Sequence, residues 1–426
     1  MPTLPDDVLA GLLAPLAAID TALARHLTGP APGRQPVHTV YVPADRFGAD
    51  TVPVWQAEAE AALSAYAADP ATLAAVTGAR PALADAVFGH VRRTLAGEPV
   101  QDLRIDFEDG YGIRTNAEED DHVTAAVAAV HAARAAGTLP RRYGIRAKSL
   151  DPAVRERGLA TLDAFLSGLA GPTEPTAPAG AAEPTKPTGG GRVPAGLVVT
   201  LPKVSAPEQV TVFVAVLAEL ERRIGLPVTP LELQIETPAA VLALPALVEA
   251  GGERLIGLHV GTFDYSAALG ISAEHQASDH PAVELATSLM QLTAAGTRVA
   301  AVDGSCNLLP VGGREAVHAG WSRHAGQVRR AWMRGLYQGW DLHPAQLVSR
   351  HAAVAACLLD GLPAALERLA AYTAARQDGA VADEPATARA LAGHVQRAVD
   401  AGLLSDTDAR AAGAPGAAAP ATGDRA

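Results

Sequence analysis

"LELQIETPAAVLALPALVEAGGERLIGLHVGTFDYSAALG", residues 231–270, decides the fold. It holds two short apolar runs, "LELQI" and "LIGLHV", each suited to a strand and each closed by polar or glycine punctuation. Between them lies an Ala- and Leu-rich stretch with helical character, so the segment reads as strand, helix, strand. Both strand-like runs lead into a carboxylate: Glu236 after the first and Asp264 after the second. Working outward, the same alternation recurs in eight segments: "VHTVYVP" (37–43), "DLRIDFED" (102–109), "RYGIRAK" (142–148), "GLVVTLPK" (196–203), "LELQIET" (231–237), "LIGLHVGTFD" (255–264), "RVAAVDG" (298–304) and "GWDLHP" (339–344). Eight such β/α units imply an α/β fold, a TIM (β/α)8 barrel with additional C-terminal helices. An open doubly wound sheet is the alternative, but no GxGxxG turn follows the first strand.

The chain has 426 residues, 49% of them hydrophobic, which is ample for one large core. Its formal charge of −12 opposes non-specific nucleic-acid binding. No apolar run approaches the roughly 18 residues of a membrane span, and the N-terminus lacks the basic region of a signal peptide. A cytoplasmic protein is therefore expected. The two cysteines, Cys306 and Cys357, read as buried free thiols. Residues 1–36 read as an N-terminal helical segment, with one amphipathic helix over 6–27, and residues 37–350 as the barrel. The Pro/Gly/Thr-rich stretch 171–193 reads as a disordered insertion, 351–405 as a helical extension and 406–426 as a disordered tail. After the fourth strand, Ser205 and Glu208 have the spacing of a capping box for the next helix.

In such barrels the chemistry sits at the C-terminal ends of the strands. Glu236 and Asp264 close neighbouring strands that lie about 4.8 Å apart, so their carboxylates are expected to converge on one cation. Two hard oxygen ligands without His or Cys suit Mg²⁺, or Mn²⁺. The ordinary alternative is that each acid caps the helix that follows. The second strand ends in "DFEDG", where alternation sends Asp106 and Glu108 to one face and Asp109 to the loop. Arg146 closes the third strand and Lys203 the fourth. Lys203 is one of only three lysines among 34 basic residues. Both cations are placed for an anionic substrate or its developing oxyanion, with a salt bridge to the acids as the structural alternative. Asp303 and His343, at the ends of strands seven and eight, read equally as site wall or as core hydrogen bonding.

The motifs "VYVPADRF", "DFEDGYG", "GIRAKS", "LPKV", "QIETPAAV", "GTFDYSAALG", "DLHPAQL" and "DGAVADEPATARA" occur in an order that resembles the HpcH/HpaI aldolase and citrate lyase β-subunit superfamily. "LPKVSAPEQ" and "LIGLHVGTFDY" also look like stretches of malate synthase. The resemblance implies that Glu236 and Asp264 are metal ligands and that Arg146 holds a substrate carboxylate or carbonyl oxygen. It further implies that Glu108 and Asp109 are supporting acids near the substrate, and that Asp383 is an acid or base brought from a C-terminal segment, often that of a neighbouring subunit. By residue chemistry alone Asp383 reads equally as a helix cap. "DFEDG" and "GIRAKS" depart from the superfamily's usual "DLEDA" and "VRVN". The activity so implied is Mg²⁺-dependent carbon–carbon lyase or aldolase chemistry on a 2-hydroxy or 2-oxo acid or its acyl-CoA ester, through an enolate, in a homo-oligomer such as a trimer or hexamer. The alternatives are a malate-synthase-like condensation, a Schiff-base aldolase using Lys203, and a non-catalytic binding barrel.

Overall fold

The structure, a computed structural model, describes residues 3–26, 29, 33–171, 193–377 and 385–413. Each expected strand forms, shorter than the sequence pattern suggests because the closing polar residues leave the ladder. The strands are β1 (His38–Pro43), β2 (Asp102–Asp106), β3 (Arg142–Arg146), β4 (Leu197–Leu201), β5 (Leu231–Ile235), β6 (Leu255–Val260), β7 (Ala300–Val302) and β8 (Gly339–Asp341). They pair in parallel in the order β7-β6-β5-β4-β3-β2-β1-β8. Between β7 and β8 the ladder reduces to one isolated bridge, Ser305 to Trp340, assisted by Asp303 N–H donating to the Gln338 carbonyl at 2.9 Å. The barrel is therefore closed at seven seams and stitched at the eighth.

Outward-facing strand residues such as Val40, Leu103, Ile145, Val199, Leu233 and Leu258 are buried against the helical ring in one continuous apolar cluster. Many of the inward-facing positions, among them Arg104, Thr200, Glu232, Gln234 and His259, are polar or charged, unlike the branched aliphatics that usually fill such barrels. Arg104 of β2 spans the interior, donating through Nε to Thr200 Oγ1 (2.9 Å) and through Nη2 to Glu232 Oε2 (2.7 Å), and it also pairs with Asp102. His259 of β6 accepts from Trp340 Nε1 at 3.0 Å and lies 3.3 Å from Glu232. This layer forms a rigid floor beneath the strand ends.

Several boundaries differ from the sequence reading. The N-terminal helix is two helices, Asp6–Leu13 and Leu16–His26, because Pro15 cannot continue the first. The helix after β4 runs Pro207–Ile224 with Ala206 at its cap position, and Gln209 Oε1 accepts from Ser205 N–H (2.8 Å) and Ala206 N–H (3.2 Å). Gln209, rather than the expected Ser205 and Glu208, thus serves the start of that helix, one residue later in the chain. The expected boundary at 350 falls inside a 32-residue helix, Gln346–Gln377, whose first turns belong to the barrel's own core through Leu347, Val348, Ala352 and Ala355. The helix Pro385–Asp400 packs on its second half. A further helix, Asp406–Ala411, is capped by Ser405, so ordered chain continues into the expected tail. Most of the expected insertion, residues 172–192, and the stretch 414–426 lie outside the described residues. Among the described residues no helix is long and apolar enough to cross a membrane.

Candidate active site

At the end of β2 the chain turns sharply, and Asp106 organises the turn: its two oxygens accept from Glu108 N–H and Gly110 N–H, each at 2.9 Å. Asp106 stands opposite Arg146 in the β2–β3 register. Arg146 grips it with a bidentate fork, Nε and Nη2 each at 2.7 Å. That leaves Nη1 facing the barrel mouth, 3.3 Å from Gln234 Oε1 and 3.4 Å from Glu108 Oε2. The guanidinium carbon also lies 4.8 Å from the centre of the Tyr41 ring. Burial works against the charge of Arg146, but Asp106 outweighs it and holds the group firmly protonated.

Lys203, just past β4, has a φ of 50°, the only positive φ among the non-glycine residues described. The left-handed conformation costs energy for a residue with a β-carbon, so the surroundings must compensate for it. Here the Lys203 N–H donates to Glu236 Oε1 at 2.7 Å, while Nζ sits among three acids: Asp109 at 2.7 Å, Glu108 at 2.8 Å and Asp264 at 3.5 Å. Burial alone would lower the pKa of this ammonium, but the hydrogen bonds to Asp109 and Glu108 raise it well above the ordinary lysine value. An amine held protonated in this way is a poor nucleophile, which weighs against the Schiff-base alternative.

Glu236 follows β5 and is 2% exposed. Gly261 passes so close that a β-carbon there would come within 2.2 Å of Glu236 Oε2, so glycine is required for this carboxylate to sit where it does. Burial pushes Glu236 up to about 7 against the pull of Lys203 and Arg146, with Glu108 and Asp264 adding to the rise. Glu108 is also pushed up to about 7, chiefly by burial. Partial burial would raise Asp109 as well, but hydrogen bonding to Glu108 and Lys203 brings it below the usual carboxylate range. Asp264 lies in the first turn of the helix Thr262–Ala268, beyond the end of β6, with its side chain half-exposed. Its position favours both the helix dipole and the shared site, so the two readings of this acid are compatible.

The structure thus brings together Glu108, Asp109, Arg146, Lys203, Glu236 and Asp264. Asp383 lies outside the described residues. Asp303 turns into the core, accepting from Gln327 Nε2 at 3.2 Å, and His343 accepts from Ala345 N–H at 3.1 Å at the start of the next helix, so neither joins the cluster. The ion pairs of Arg146 and Lys203 with the acids at the end of β2 are those the sequence held open as an alternative; that Asp106 is the acid gripping Arg146, with Tyr41 and Gln234 beside it, and that Gly261 makes room for Glu236, were not foreseen.

Five carboxylates, Asp106, Glu108, Asp109, Glu236 and Asp264, face two cations here, and burial, with a smaller contribution from neighbouring acids, pushes Glu236 and Glu108 up to about 7. Among the described residues no three His, Cys, Asp or Glu converge closely enough to hold an ion by themselves. The donor set still fits Mg²⁺, which takes one or two carboxylates and completes its octahedron with water and substrate oxygens.

Fold and site together define a (β/α)8 barrel whose C-terminal mouth carries a carboxylate cluster gathered around one arginine and one lysine. The chain belongs to the family described as a domain of unknown function, DUF6986, whose model matches residues 16–419. No curated protein matches the sequence. Among solved structures, the fold is that of a citrate lyase from Burkholderia xenovorans LB400, with a TM-score of 0.58 at 17% identity over 89% of this chain and 97% of that one. A malate synthase of Haloferax volcanii aligns with a TM-score of 0.49 at 15% identity, covering 76% of each chain. The CitE protein of Mycobacterium tuberculosis, in complex with magnesium, acetoacetate and coenzyme A, aligns at 0.47 and 17% identity over 87% of this chain and 99% of its own.

Proposed function

We propose that the chain is a Mg²⁺- or Mn²⁺-dependent carbon–carbon lyase that cleaves, or forms, a 2-hydroxy or 2-oxo acid or its acyl-CoA ester through an enolate. The observation that carries this reading is the excess of acids at the strand ends, with Glu236 and Glu108 both pushed up to about 7 where a cation would satisfy them. Glu236 and Asp264 are the proposed metal ligands. A bound divalent ion supplies Lewis acidity and a template for the acid's carboxylate and neighbouring oxygen.

In the cleavage direction the substrate hydroxyl loses its proton and the carbon–carbon bond breaks to leave a carbonyl. The electron pair on the departing carbon becomes an enolate, which takes up a proton. Arg146 Nη1 is the donor for the oxygen whose charge changes, held in place because Asp106 occupies the rest of the fork. Glu108 and Asp109 hold the Lys203 ammonium beside the same oxygens. Asp383, from this chain or from a neighbouring subunit of a homo-oligomer, is the proposed proton carrier, provided burial lifts it toward the working pH.

The test is Mn²⁺ binding by calorimetry, run beside an assay for 2-oxo acid release from hydroxy-acid thioesters. Glu236→Gln should weaken Mn²⁺ binding by at least about tenfold and abolish turnover while the protein still melts cooperatively. Unchanged Mn²⁺ affinity would remove Glu236 from the metal site.

A further inference from the structure

The opposite end of the barrel holds a cavity of about 380 Å³, walled by the segment before β1 (Gly33–Val37), the starts of β3, β6 and β7, and the C-terminal helix Pro385–Asp400. Its floor is apolar, formed by Val37, Ile256, Val299 and Leu358. One wall is aromatic: Tyr337 meets Trp332 edge-on at 5.1 Å between ring centres, and the Arg397 guanidinium lies 3.8 Å above the Tyr337 ring.

Two buried atoms on this wall find no hydrogen-bond partner among the described residues, Trp332 Nε1 and Arg397 Nε, and both are donors. Trp332 is 8% exposed, so its N–H forfeits the solvent it would otherwise bond. An adjoining cavity of about 420 Å³ shares Trp332 and Tyr337 and adds a third orphaned donor, Arg329 Nη1. Among the described residues no orphaned acceptor lines the first cavity. Arg142 and Arg298 also line the first cavity, as does Arg34, which is already paired with Glu98 at 2.6 Å. Arg142 makes no ion pair with a described residue, and Asp400, which accepts from Gln396 at 2.9 Å, is the cavity's carboxylate. Burial lowers the pKa of Arg397, as expected for a guanidinium whose charge is under-compensated. Water would satisfy the donors but would leave two guanidiniums against one acid, in a chain whose net charge is −12.

We propose that this cavity is a binding site for a small organic anion, a phosphate or carboxylate carried on a planar apolar body. The volume lies within the range of small-molecule sites. The anion would meet Arg142 and Arg397 and accept from Trp332 Nε1, and its body would lie on the aromatic wall and apolar floor.

The test is calorimetry of the full-length protein with three probes: phenyl phosphate, benzoate and inorganic phosphate. Phenyl phosphate or benzoate is expected to bind at one site per chain with a dissociation constant of about 1 mM or tighter, the better of the two assigning phosphate or carboxylate. Arg397→Gln and Arg142→Gln should each weaken that probe by about tenfold or more, and Trp332→Phe should do so to a smaller degree. Cooperative melting of each variant guards against a fold defect, and Glu236→Gln, at the far end of the barrel, should leave the affinity unchanged. Three results would overturn the assignment: no binding of either organic probe, affinity unaffected by both arginine substitutions, or inorganic phosphate binding as tightly as phenyl phosphate.

Discussion

Glu236 and Glu108 keep their protons to about pH 7 in the folded protein, whereas an ordinary glutamate gives its proton up near 4.5. Between those values the native state binds more protons than the unfolded chain, so these two residues make stability fall as pH rises through that window and leave it lower above it. For Glu236, almost wholly buried, carrying the group from 4.5 to about 7 corresponds to roughly 3 kcal/mol. A divalent cation would take over the role of those protons. Added Mn²⁺ is therefore expected to raise the melting temperature by a few degrees at about pH 8 and much less at about pH 5, and scanning calorimetry of the wild type and Glu236→Gln at both values checks it. An equal effect of Mn²⁺ at the two pH values would contradict the linkage. The members of this cluster were legible in the sequence because each is a charged residue closing an apolar run. That the cations could pair with the acids was legible too, but not which partners: that Asp106 meets Arg146 depends on the β2–β3 register, and that Glu236 needs glycine at 261 depends on a close approach between neighbouring strands.

The eight strands were legible as elements because apolar and β-branched runs alternate with Ala-rich helical stretches, a period that survives without any tertiary information. What fills the barrel was less so. "DLRID" and "LELQI" read as apolar strands with polar interruptions, yet the interruptions Asp102, Arg104 and Glu232 are the interior, tied by Arg104 across three strands. A buried charge network of this kind carries large penalties once it is broken. Arg104→Leu leaves Asp102 and Glu232 facing each other without a cation, and it should cost about 3–5 kcal/mol of stability in denaturant unfolding. Because Thr200 and His259 sit in the same layer beneath the acids at the strand ends, the loss should also loosen the site above. A destabilisation under about 1 kcal/mol would mean that the two acids take up protons at little expense and that the layer is not the floor described here.

Over the whole molecule, the sequence boundary drawn at residue 350 followed the end of the eighth strand, where strand counting says that closure is complete. The packing moves it. Arg350 donates to Asp341 of β8 through Nη2 at 2.7 Å, Asp341 also holds His38 of β1 at 2.8 Å and His324 at 3.1 Å, and the turns around Leu347 to Ala355 are inseparable from the barrel core. Leu358, Leu362 and Leu369 of the Gln346–Gln377 helix belong to a separate apolar cluster with Val395 and Ala398 of the next helix, which Ala353 and Val354 of its first half also join. A chain ending after residue 350 should consequently fail to fold, because it uncovers the β8–β1 seam, whereas one ending after residue 377 should keep the barrel and its Mn²⁺ affinity. The longer truncation should melt several degrees lower and lose phenyl phosphate binding, since Arg397 goes with the removed helix. Circular dichroism melting and calorimetry on the two truncations separate these outcomes. A cooperative, Mn²⁺-binding product of the 350 truncation would return the helix to the role of an appendage, and retained phenyl phosphate binding after the 377 truncation would move that site elsewhere.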